Sequence, residues 1–419
     1  MSSHGELIAG LDIGSSKIRM IVGQRSGEEG SEKKINIIGA YETPAEGIHK
    51  GVITSIEDAV VSITRVLENM ERIVGHSIEQ AWVGISGSHI ISQESRGVIA
   101  VSRHDGEIDE GDVARAIEAA RTVATPSNYE ILHVIPRNFT IDGQTNIKDP
   151  VGMTGIRLEV DSLIVQGITS QIKNLTKCVY RTGLDIEDLV VASLASSQAV
   201  LSNRQKELGV AVLDIGGTTT NVIVMEDGDV VHQAVLPIGA DHVTSDIAIG
   251  LRISIDAAEK IKLKYGTALA KNVDKNDHIS FEEIDLSEQG EVPRRYIAQI
   301  IEARVEEILR KVDNELEKAH RSGMLPSGVV LIGGGAKLHG MVELAKKVLR
   351  LPVSLGYAQN ITSSVDKTQD LSYMTAIGLV LWGNQALGHR NGRRFSLSKF
   401  KSVADVSDKM RKWLKSLVP

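Results

Sequence analysis

Leu7-Ile8-Ala9-Gly10-Leu11 runs into Asp12-Ile13-Gly14-Ser15-Ser16-Lys17, and in the middle of the chain Val210-Ala211-Val212-Leu213 runs into Asp214-Ile215-Gly216-Gly217-Thr218-Thr219. Each opening run is short and apolar and reads as a buried strand. Each turn is followed by a second apolar run, Met20-Ile21-Val22 or Val222-Ile223-Val224. Strand, glycine-rich turn and strand make a hairpin, and the chain makes it twice. The residue types have a chemical reason. Gly14, Gly216 and Gly217 let the backbone bend sharply and bring its N–H groups close to an anion. Ser15, Ser16, Thr218 and Thr219 add hydroxyl donors for phosphate oxygens, and Lys17 adds a point charge. Asp12 and Asp214 would repel phosphate on their own, so the partner that suits them is a hydrated Mg²⁺ carried with the nucleotide. A single Asp-x-Gly turn is commonplace. Two with matching flanks, one opening each half of the chain, point to phosphates held between two lobes.

A third glycine cluster follows the apolar run Val329-Val330-Leu331-Ile332: Gly333-Gly334-Gly335, then a helix expected from about Met341 to Arg350. Bare backbone at the end of a strand admits a flat adenine or a ribose, although the same tripeptide also serves as an ordinary loop. In the helical stretch Asp256 to Lys262, Glu259 and Lys262 lie three apart on one face. That spacing suits ribose hydroxyls, and equally an ion pair on a solvated face.

With 419 residues, the chain is too long for one compact core. Its 42% hydrophobic and 24% charged content is that of a globular protein. A lone cysteine, Cys178, excludes an internal disulfide and suits a reducing compartment. No basic-then-apolar signal opens the chain, and no apolar run reaches the roughly 18 residues of a spanning helix. The net charge of −7 is unevenly spread: from His389 onward nine Lys/Arg stand against two Asp/Glu. An acidic body does not suit nucleic acid, and the basic tail has a separate task.

Two phosphate hairpins, a glycine-rich adenosine turn and a helical ribose contact, in this order, resemble the actin, Hsp70 and sugar-kinase superfamily. Within it the chain resembles the FtsA family of bacterial actin-like division proteins. The most specific stretch lies at about residues 84 to 163: His133-Val134-Ile135-Pro136, Ile141-Asp142-Gly143-Gln144, Asp149-Pro150-Val151-Gly152-Met153 and Gly155-Ile156-Arg157-Leu158. This resembles the extra subdomain of the family; His133 itself reads as a packed histidine.

The resemblance implies an α/β actin-like ATPase fold of two lobes, each a mixed sheet flanked by helices. Subdomain 1A would span 1–83, 164–203 and 371–388, and the inserted subdomain 1C would span 84–163. Subdomain 2A would span 204–241 and 313–370, and 2B would span 242–312. It further implies ATP with Mg²⁺ in the cleft, head-to-tail self-assembly, and capture of the tail of the tubulin-like FtsZ by subdomain 2B. The docking residues it implies are Arg294, Arg304 and Glu307. The implied place is the cytoplasmic face of the bacterial inner membrane, where later division proteins are recruited. Residues 270–291 are polar and match no particular element.

After Trp382 the chain turns polar, and 389–402 reads as a flexible linker. The next stretch, 403–418, has helical periodicity. At about 100° per residue, Val403, Val406, Met410, Trp413, Leu414 and Leu417 share one narrow arc, with Arg411, Lys412 and Lys415 opposite. An apolar face with Trp and a cationic remainder describes a helix lying in an anionic membrane interface. Three rival classes stay in view. A sugar kinase would need an acidic base beside its substrate, and no motif nominates one. An Hsp70-type chaperone would carry a long peptide-binding domain, and about 30 residues follow Gly388. A pilus-assembly actin relative would lack the membrane helix. No residue is nominated to orient an attacking water, so ATP binding with at most weak hydrolysis is the expectation.

Overall fold

The computed structural model describes residues 6–26, 34–122, 125–283, 290–363, 365–391 and 401–402. The expected membrane helix, with Val406, Met410, Trp413, Leu414 and Leu417, lies outside the described residues.

Two sheets carry the two hairpins. In the first lobe Leu7–Ile13 and Lys17–Ser26 pair antiparallel, with Asp12 opposite Arg19. Lys34–Pro44 extends the sheet on one side, and Gln80–Ile85 and Asp185–Val191 extend it in parallel on the other. Helix Ile56–Val74 covers it through the stripe Ala59, Ile63, Val66, Leu67 and Met70. Ser55 caps that helix by accepting the Asp58 N–H, and Gly75 ends it in the left-handed region at φ 76°. Such a cap is worth about 1 kcal/mol, so the position of the helix is set mainly by its buried face.

The second lobe repeats the plan. Val210–Ile215 and Thr220–Glu226 form the hairpin, with Asp214 opposite Asn221. Val329–Ile332 runs parallel to the first of these, which sets Ile332 beside Asp214 and delivers Gly333 to the turn. Asp229–Leu236 closes one edge and Val353–Leu355 the other. Helices Ala240–Leu251, Ile255–Tyr265, Arg294–Lys318 and Met341–Leu349 pack around this sheet. The described part of 270–291, unplaced by sequence, makes helical turns at Ala270–Asn272 and Phe281–Glu283 and a ribbon of His278–Ser280 with Glu291–Pro293.

Between the strands Gln80–Ile85 and Asp185–Val191 the chain inserts a third unit: Ile90–Ala100, Tyr129–Ile141 and Arg157–Ile168 in one antiparallel sheet, with helix Glu110–Arg121 on one face. It has its own core of Val113, Ile117, Val134, Phe139, Val160 and Ile164. His133 lies at its junction with the first lobe. The buried ring accepts the Val191 N–H at 3.1 Å and meets Trp382 edge-on at 5.7 Å. Burial pushes its pKa down to about 4, so it packs as a neutral ring. The unit also reaches the second lobe: Arg137 and Ser92 donate to the carbonyls of Val231 and Gln233 at 2.6 and 2.8 Å, and Lys148 pairs with Asp229.

The last helix, Met374–Asn391, runs three residues into the stretch expected to be linker. Beyond it, Lys401–Ser402 pairs antiparallel with Val134 and His133 of the inserted sheet.

Candidate nucleotide site

Where the two lobes meet, the hairpin turns face each other and are joined by side chains. Ser16 Oγ donates to Asp241 Oδ2 at 2.8 Å, and Thr218 Oγ1 accepts the Lys50 N–H at 3.2 Å. Ser86 Oγ donates to Asn221 Oδ1 at 2.6 Å, and Thr375 Oγ1 donates to Asp214 Oδ2 at 3.1 Å. Ser15 Oγ accepts the Gly51 N–H at 2.8 Å within the first lobe. The Gly216 N–H closes its own turn on the Thr219 carbonyl at 2.9 Å. The hydroxyls predicted for phosphate are thus assembled in one place, at the ends of the strands bearing Asp12 and Asp214.

Two glycines are required by contact. A Cβ on Gly217 would fall 1.8 Å from Ser16 Oγ and 2.6 Å from Asp241 Oδ2. Gly333 has φ +85°, and a Cβ there would fall 2.4 Å from Asp214 Oδ1. The third glycine turn therefore seats directly on the second phosphate turn. Gly335 faces Ile215, 2.4 Å from its Cγ2 to an added Cβ.

Glu259 and Lys262 pair at 2.6 Å, and both bond Thr244 Oγ1, at 2.6 and 2.7 Å. Lys262 is buried and also donates to the Ala240 carbonyl at 3.3 Å, while the Glu259 side chain stays 41% exposed, so the pair is anchored at its lysine end and open to solvent at its carboxylate. Helix Ala240–Leu251 ties it to the phosphate turn, because the Ala240 and Asp241 N–H groups bond the Gly216 and Gly217 carbonyls at 2.9 and 2.8 Å.

The acids are the electrostatic centre. Burial raises the Asp12 pKa to about 7; Arg19 pulls it back and Asp214 pushes it further up. Burial also raises Asp214, opposed by the Thr375 hydroxyl, Arg19 and Asn221. Two partly buried carboxyls that one guanidinium leaves under-compensated suit a divalent cation, and Asp12 and Asp214 are the residues that would hold one. Lys17 is half-exposed, 3.8 Å from Glu42; the cation whose charge bears on both acids is Arg19, itself bonded to Glu42 at 2.9 Å. Hairpin register was a usable signal for Arg19, since it stands opposite Asp12. The same register places Asn221 opposite Asp214, whereas Asp241 and Thr375 arrive by tertiary contact and carried no local signal.

The partner residues separate. Arg304 and Glu307 line a groove of about 490 Å³ with Pro237, Ile238, Lys311 and Lys318. Arg304 is already held there, by Asp246 at 2.5 and 2.8 Å and by Glu307. Arg294 lies apart from the groove, bonding Asp277 and the Tyr265 carbonyl, both at 3.0 Å.

A family model described as "Cell division protein FtsA" matches residues 211–378, and one described as "SHS2 domain inserted in FTSA" matches residues 87–166. The chain is 35% identical to the cell division protein FtsA of Pseudomonas aeruginosa over 98% of both chains. It is 38% identical to that of Bacillus subtilis over 90% of this chain and 83% of the relative. Among solved structures, a PilM-PilN type IV pilus biogenesis complex aligns with TM-score 0.65 at 16% identity, covering 90% of this chain and 98% of the other. MreB5 of Spiroplasma citri bound to ADP aligns with TM-score 0.55 at 14% identity, covering 92% and 99%. At such identities the two structures speak for the actin-like fold alone.

Proposed function

The chain belongs to the FtsA family of cell division proteins, and on that premise we propose that it is an ATP-binding scaffold that carries a division polymer on a membrane. The observation that carries this reading is the meeting of the two Asp-Ile-Gly turns, with their hydroxyls and glycines gathered around two acids. ATP phosphates lie between the turns, and the adenosine rests on Gly333 to Gly335 with its ribose toward Glu259 and Lys262. Mg²⁺, when bound, neutralises phosphate charge; Asp12 and Asp214 hold it, and Arg19 balances what remains. MreB5 of Spiroplasma citri, of like fold, was solved with ADP and with AMPPNP, which supports a nucleotide in this cleft.

The groove beside Arg304 has an apolar floor at Pro237 and Ile238, and its cations Lys311 and Lys318 pair with its own Glu307 and Glu315, so a short acidic peptide such as the FtsZ tail docks by taking those carboxylates' place. The basic segment 403–418 lays its apolar arc in the inner membrane from the cytoplasmic side. One such helix is a weak anchor, and head-to-tail self-assembly makes many act together.

Calorimetry with Mg-ATP and flotation with anionic liposomes test the proposal together. ATP binds, the protein floats, and Trp413→Glu stays in solution with its melting temperature unchanged. Absence of ATP binding overturns the nucleotide reading. A Trp413→Glu protein that still floats overturns the anchor.

A further inference from the structure

We propose that Asp241 is a built-in competitor for the phosphate site, latching the two lobes through the hydroxyl that a nucleotide phosphate must take. The inference rests on the reading that phosphates lie between the two turns.

Asp241 stands in the first turn of helix Ala240–Leu251, and its N–H is fixed on the Gly217 carbonyl at 2.8 Å. That bond aims the carboxylate over the face of Gly217, where its oxygens lie 2.6 and 2.9 Å from the place of a missing Cβ. Ser16 Oγ, from the other lobe, reaches to 1.8 Å of the same point and donates to Oδ2 at 2.8 Å. The absence of a side chain at position 217 is what lets the two groups meet. A seryl hydroxyl has one proton to donate. Given to Asp241, it is not available to phosphate, and both acceptors are anionic oxygens that make the same charge-assisted bond. The carboxylate also places negative charge beside the turn that phosphates would enter, which opposes them further.

Phosphate entry therefore exchanges one lobe-to-lobe bridge for another. Ser16 lets go of Asp241 and bonds the nucleotide, and the helix bearing Asp241 is freed from the first lobe at that point. Because Thr244 and Lys262 tie this helix to Glu259, the release reaches the ribose pair as well. Affinity for phosphate-bearing ligands is set below what the turns alone would give, while adenosine is indifferent to the latch.

The test is calorimetry on the full chain with ATP, ADP and adenosine, with and without Mg²⁺, for wild type, Asp241→Ala and Asp241→Asn. Asp241→Asn keeps the shape should the alanine variant fail to fold. The expected result is an ATP and ADP Kd about tenfold lower in Asp241→Ala, with a smaller gain in Asp241→Asn and adenosine unmoved. An unchanged ATP Kd overturns the latch alone. Weaker binding confined to Mg²⁺ overturns it too, and makes Asp241 a holder of metal-bound water. Equal shifts for ATP and adenosine reduce Asp241 to lobe packing. If neither wild type nor variant binds ATP, the phosphate reading falls and the latch with it.

Discussion

Asp214 accepts the Thr375 hydroxyl at 3.1 Å and is further held down by the Asn221 side chain. Asp12, at the matching place on the other lobe, has mainly distant charges to set against its burial: Arg19 in its favour and Asp214 against it. The second turn is also braced by Gly333, packed onto the Asp214 carboxylate. Asp12 stands beside Gly84 on the parallel strand, the place that Ile332 takes beside Asp214, and a Cβ added to Gly84 would meet nothing closer than Leu379 at 3.2 Å. Equal motifs thus sit in unequal surroundings. Donors and bracing make the second acid part of the scaffold, whereas the first has only the charge of Arg19 to set against its burial.

The sharpest way to break this comparison is to add one methyl group on each side. Gly333→Ala meets both the positive φ and the Asp214 oxygen, and ATP affinity should fall at least about a hundredfold by calorimetry. Gly84→Ala should cost less than about tenfold, because Leu379 can give by a few tenths of an ångström. Equal losses would mean that the bracing of the second turn is irrelevant.

Removing each acid separates scaffold from site. Asp214→Ala strips Thr375 and Asn221 of their acceptor and should lower the unfolding free energy by about 1–3 kcal/mol in urea titrations without metal. Asp12→Ala should cost less than that, or stabilise, since it removes a carboxyl that burial disfavours. Both variants should lose more affinity for Mg-ATP than for metal-free ATP. A metal-free protein destabilised more by Asp12→Ala would reverse the assignment.

The smallest expected effect is a slope. Asp12 has a folded pKa near 7 against 3.8 unfolded, so the folded state binds the extra proton. Its stabilising contribution is whole below about pH 4 and is lost as pH rises toward 7, at no more than about 1.4 kcal/mol per unit. Metal-free melting should therefore show a shallow decline from Asp12 between pH 5 and 7 that Asp12→Asn flattens. The neutral rings of His133 and His89, both pushed down to about 4, tilt the other way as pH falls below 6.5, so the difference between wild type and variant is the quantity to read.

Much of the architecture was legible because strand, acid and glycine turn occur twice in short contiguous stretches. Local geometry alone requires the hairpins, and Val329–Ile332 with its glycines declares a third strand and turn in the same way. The buried Lys262 was nominated from helical spacing, although spacing could not separate it from a surface pair. Asp241 and Thr375 escaped because their meaning lies across the cleft from their own elements. The family resemblance groups Arg294 with Arg304, yet ten residues along a helix span about 15 Å, and one groove does not receive both. The polar run at 270–291 was unreadable because its ribbon strands are only three residues long.

The contacts of Arg137 and Ser92 fall on alternate carbonyls of Asp229–Leu236, the strand that closes one side of the second sheet. An outer strand with unclaimed carbonyls is a template on which any passing extended chain can add itself, and that hazard grows when many copies crowd together. Here the rim is occupied by side chains from elsewhere in the same molecule, with Lys148 on Asp229 at its end. The sheet is thereby kept from growing by indiscriminate strand addition.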